Sequence, residues 1–91
     1  MTPEQLAETL ASALQAKLRR VAMSRTDATI TIGSVVLTVE PGRVAAVDGG
    51  ANADYRWPSA GAPPIDNIVN WMVAAIKMFA TTRATMTNWR P

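Results

Sequence analysis

Cysteine and histidine are both missing from this 91-residue chain. Without thiols it has no disulfide staple and no thiolate nucleophile, and nothing in it marks an oxidising compartment. Without imidazole it lacks the commonest general base and the commonest transition-metal ligand. Ser12, Ser24, Ser34 and Ser59 therefore have no histidine to activate them, and no catalytic residue is expected. Acid is missing after Asp66, while Lys77, Arg83 and Arg90 follow it, so the formal net charge of +2 leans towards the C-terminal end. No unbroken hydrophobic run is long enough to span a bilayer: the longest, Ile68 to Ala80, is interrupted by Asn70 and Lys77. At the N-terminal end Glu4 and Glu8 precede Lys17, Arg19 and Arg20, the reverse of a secretory signal's charge order. The expectation is a soluble, unprocessed protein without metal or cofactor, of a size that makes one domain.

What is present reads as α+β. Thr2, Pro3 and Glu4 supply an N-cap, a first-turn proline and a first-turn acid. Leu6, Leu10, Leu14, Leu18 and Val21 then recur at helical spacing, which predicts an amphipathic helix ending near Met23 or Ser24. Lys17 projects onto the apolar stripe, so its amine must reach out to water or find a partner. Residues 28–32 and 35–40 flank a Gly33-Ser34 turn and read as a hairpin, with Ile32 opposite Val35, Thr31 opposite Val36, Ile30 opposite Leu37 and Thr29 opposite Thr38. That register gathers Ile30, Ile32, Val35, Leu37 and Val39 on one face, so turn length and hydrophobic pattern agree. Pro41-Gly42 reverses the chain, bringing Glu40 opposite Arg43, and Val44 to Val47 complete a three-stranded antiparallel meander.

The other face of that meander carries Thr29, Thr31, Val36, Thr38, Ala45 and Val47, where a water-facing sheet usually carries charge. This predicts a covered face. Asp48 to Pro64 reads as a long loop holding Tyr55 and Trp57, and loops of that length are commonly functional or ordered by a partner. Pro64 then opens a second helix, with Ile65, Ile68, Val69, Met72, Ile76 and Phe79 facing the core. Trp71, Met78 and Trp89 lie on its flank, and Arg83 falls on the core stripe, so the helix is expected to have left its own domain there. The chain thus divides into a single domain, 1–80, and a C-terminal arm, 81–91.

Other constellations are weaker. Asp48, Asn52 and Asp54 are spaced like oxygen ligands, but the glycine and distal glutamate of a calcium loop are missing, so a polar turn is the simpler reading. Asp48-Gly49-Gly50 lacks the lysine and the strand-to-helix setting of a phosphate-binding loop. The arginines, Arg19, Arg20, Arg25, Arg43, Arg56, Arg83 and Arg90, are dispersed rather than gathered in a nucleic-acid-reading motif.

The segment Tyr55-Arg56-Trp57-Pro58, then Gly61-Ala62-Pro63-Pro64-Ile65-Asp66 and a helix bearing Trp71, resembles small tailed-phage virion proteins of the head–tail connector and tail-completion kind. The match covers about a quarter of the chain. A Val-Asp-Thr-Gly-type segment that many of those proteins carry after the first helix is missing, and the arm here is threonine-rich. The resemblance implies a structural role in a symmetric assembly and transfers no individual residue. Together with the uncovered surfaces it leads to the expectation of a non-enzymatic structural subunit, located in a virion or otherwise in the cytoplasm. Its partners are expected to be copies of itself or other structural proteins. The interface candidates are Thr29, Thr31, Val36, Thr38, Tyr55, Trp57, Trp71, Met78, Trp89 and Arg90, with Trp89 anchoring the arm on a neighbouring subunit. The alternative is a small regulatory protein that binds nucleic acid or a macromolecular effector.

Overall fold

The computed structural model describes residues 2–88, with side chains described through Thr81. Helix α1 spans Pro3–Lys17. Five strands follow, β1 Ser24–Thr26, β2 Thr29–Ile32, β3 Val35–Glu40, β4 Arg43–Asp48 and β5 Ala51–Arg56, and helix α2 spans Ile65–Asn88. The strands form one antiparallel sheet in chain order, each paired with its sequence neighbour.

The α+β class and the β2–β3 and β3–β4 registers agree with the sequence reading; the strand number does not. Two edge strands join the expected three. Every strand is linked to the next by a two-residue turn: Asp27-Ala28, Gly33-Ser34, Pro41-Gly42 and Gly49-Gly50. Asp27, Gly33 and Gly49 take positive φ (52, 60 and 63°) at the first turn position, the hand that suits twisted hairpins. Residues 48–64 are therefore no long loop. Their first part is the hairpin that brings in β5, and only the stretch after Arg56 connects to α2.

α1 begins as expected. The Thr2 hydroxyl accepts from the Gln5 N–H, and the Gln5 side chain accepts from the Thr2 N–H, a reciprocal capping box. It ends earlier than expected, at Lys17 rather than near Met23. Leu18 leaves helical geometry (φ −118, ψ 62), and the Gln15 amide donates to the carbonyls of Leu18 and Val21. The chain then has residues to spare to reach β1 at the sheet edge. Val21, expected on the buried stripe, is exposed in consequence, and Lys17, the last residue of α1, is exposed to water.

α1 contacts β1, β2 and β3, α2 contacts β4 and β5, and the two helices contact each other, so both lie on one face of the sheet. Leu6, Leu10 and Leu14 of α1 and Ile68, Met72 and Phe79 of α2 close over Ile30, Leu37, Val39 and Val44 in a single core. No polar side chain is buried among the described residues. α2 starts at Ile65, one residue after the expected Pro64, and stays helical through Asn88, so the first eight residues of the expected arm continue the helix. At 24 residues it is about 36 Å long, well beyond the roughly 20 Å of a six-residue strand.

Candidate functional site

The face of the sheet turned away from the helices is covered by no other element among the described residues. Its residues follow from the pairing register, because partners directly opposite share a face. One row across the sheet runs Ser24, Thr31, Val36, Val47, Asn52. The next runs Thr26, Thr29, Thr38, Ala45, Asp54, and a shorter third runs Glu40, Arg43, Arg56. Val36 and Val47, side by side at the centre of the first row, are 37% and 43% exposed. Four of the ten interface candidates, Thr29, Thr31, Val36 and Thr38, lie together here.

Sequence reasoning placed Glu40 opposite Arg43 but missed the two β5 charges, Asp54 and Arg56, that complete the charged end of this face. Arg43 donates from Nη1 to Glu40 Oε2 (2.7 Å) and from Nε to Asp54 Oδ2 (3.0 Å), and Arg56 Nε donates to the same Oδ2 (2.8 Å). These bonds, the Arg56 one foremost, hold the Asp54 carboxyl below the usual aspartate range. Bonding to Glu40 first, and to Asp54 second, raises Arg43. Two acids and two arginines sum to zero charge. The signal for β5 was the alternation Ala51, Ala53, Tyr55 against Asn52, Asp54, Arg56, which the weak strand propensity of Ala, Asn and Asp concealed.

Other candidates fall on the helix side. Val44 lies opposite Tyr55, so the Tyr55 ring shares the inner face; its centroid sits 6.0 Å from Trp71 and 6.3 Å from Trp57. All three rings pack half-buried against the core. Met78, 50% exposed, lies on α2 in the helix layer. Trp89 and Arg90 lie outside the described residues. The Asp48, Asn52 and Asp54 trio is divided between faces: Asn52 and Asp54 share the outer rows, whereas Asp48, next to outward Val47, belongs to the other face. Among the described residues no group of three acidic or metal-ligating side chains gathers. Two of the dispersed arginines, Arg43 and Arg56, are neutralised by acids.

A groove of about 460 Å³ between the start of α1, the β3–β4 turn and the loop after β5 is lined by Leu6, Gly42 and Trp57, with Glu40 as its one acidic group. That glutamate is engaged with Arg43. No helix among the described residues is long and apolar enough to cross a membrane.

The fold and this face define a two-layer α+β meander, with two helices on one side of the sheet and an open threonine/valine face on the other. No protein-family model, curated protein or solved structure matches the chain.

Proposed function

We propose that this chain is a non-enzymatic structural subunit of a larger assembly, of the tailed-phage virion kind, which associates through its open sheet face. The observation that carries the reading is the composition of that face. A solvated antiparallel face normally alternates charged residues outward. Here two of its three rows present Thr, Ser, Val, Ala and Asn with one acid, Asp54, and nothing else in the described chain covers them. Contiguous weakly polar surface of this kind invites association. The charges that do lie on the face are matched within it, which suits a protein partner better than a phosphate backbone.

The test is native mass by light scattering on a sizing column in dilute salt. A discrete oligomer is the expected result. A monomer that instead binds DNA with steep salt dependence refutes it in favour of a regulatory nucleic-acid-binding protein.

A further inference from the structure

Resting on that self-association reading, we infer that the occupant of the outer face is a second copy of the same chain. The two sheets would stack face to face about a two-fold axis that runs parallel to the strands, between β3 and β4. The argument is self-complementarity. A two-fold interface brings residue i against residue j and j against i, and aligned sheet stacking keeps the strand directions close. With the axis between β3 and β4, each β3 residue meets a β4 residue of the other copy in the same row, and each β2 residue meets β5. Val36 then faces Val47, Thr38 faces Ala45, Thr31 faces Asn52, Thr29 faces Asp54 and Glu40 faces Arg43.

Val36 meets Val47, the Thr31 and Thr29 hydroxyls meet an amide and a carboxylate, Glu40 meets Arg43, and only Thr38 meets a plain methyl, that of Ala45. Both arginine bonds to Asp54 land on Oδ2, which leaves Oδ1 to accept from the threonine hydroxyl across the interface. Axes shifted onto β3 or β4, or on towards β5, fail on charge or polarity. Along β3 the axis opposes Glu40 to Glu40; along β4 it opposes Arg43 to Arg43. Between β4 and β5 it sets Arg43 against Arg56 and Ala45 against Asp54. An axis across the strands through the Thr38 row sets Val36 against Glu40 and Asp54 against Asp54. Like charges directly opposed suppress a pairing.

The four overlapping strands cover about 350 Å² in plan on each copy, less than the ~800 Å² per partner of a standard interface. The pairing is therefore concentration-dependent and is read across a dilution series.

Glu40→Arg leaves one copy with two arginines at this contact, and Arg43→Glu leaves two glutamates. Each variant alone is expected to run as a monomer at concentrations where the parent chain is a dimer, with its circular dichroism unchanged. Mixed in equal amounts, the two are expected to recover the dimer, because both cross-interface contacts become Arg–Glu. Mixing leaves the mismatch within each chain in place, so recovery reports only contact between copies. Val36→Asp, at an exposed position, is expected to remove the dimer even if the charge variants fold poorly. A parent oligomer whose mass ignores all three substitutions overturns this face while leaving self-association through another surface, and single variants that stay monomeric on mixing overturn the Glu40-to-Arg43 pairing across the axis. A parent chain that is monomeric at every concentration overturns both.

Discussion

Gly42 is the residue where backbone and packing demand the same thing. It takes φ +73° as the second residue of the Pro41-Gly42 turn, and its carbonyl accepts from the Trp57 N–H at 3.0 Å. A Cβ there would stand 2.8 Å from the Trp57 carbonyl oxygen, a main-chain atom that cannot swing aside. Gly42→Ala should therefore cost more than about 1 kcal/mol, read as a lowered urea midpoint at unchanged slope. Gly50→Ala, into open space and without a positive φ, is the matched control. Asp54 gives the second residue-scale prediction. Its folded pKa is depressed by Arg56 and Arg43, so its contribution is present above the ordinary aspartate pKa and is lost as pH falls through the lower folded value. The melting-temperature gap between the parent chain and Asp54→Asn should be open at neutral pH and close on acidification through that window. A gap that persists in acid would show that the carboxylate charge is not its source.

Among the elements, α1 has a start written in sequence and an end written elsewhere. Thr2 and Gln5 make the capping box with Pro3 in the first turn, and Thr2→Ala should cost about 1 kcal/mol in chemical denaturation. No glycine or proline occurs between Pro3 and Gly33, so no local signal stops the helix at Lys17. The Leu18 and Val21 continuation of the stripe even favours a longer helix. What ends it is the need to reach β1, with Gln15 taking the Leu18 and Val21 carbonyls. β1 is three exposed residues and carries no hydrophobic pattern to read. β5 does alternate, but in residues that seldom choose strand unaided; its six-residue pairing with β4 supplies the preference.

For the whole molecule, the decisive asymmetry is that both helices lie on one side. A single core fills the space between helices and sheet, and the remaining face is left to water or to another chain. Two added strands widen that sheet from three to five, and one of them, β5, brings Asp54 and Arg56 beside Glu40 and Arg43. A face first read as nearly uncharged thus gains a neutral charged end, which is what gives a second copy a preferred register. The mass measurement belongs to this scale: apolar contact alone would allow sheets to slide, whereas the Glu40 to Arg43 match predicts one discrete species.

By itself the sequence determined the α+β class, the α1 start, the central hairpin registers, and the weakly polar character of Thr29, Thr31, Val36 and Thr38. Those features are local: caps, two-residue turns and alternation act between residues close along the chain. Only the tertiary structure decided where α1 stops, that residues 51–56 are a strand, that Tyr55, Trp57 and Trp71 gather on the helix side, and that four charges meet at one end of the outer face. Each of these depends on a neighbour supplied by another element, as when β4 gives an Ala/Asn/Asp segment the hydrogen-bonding edge that its own propensity does not favour.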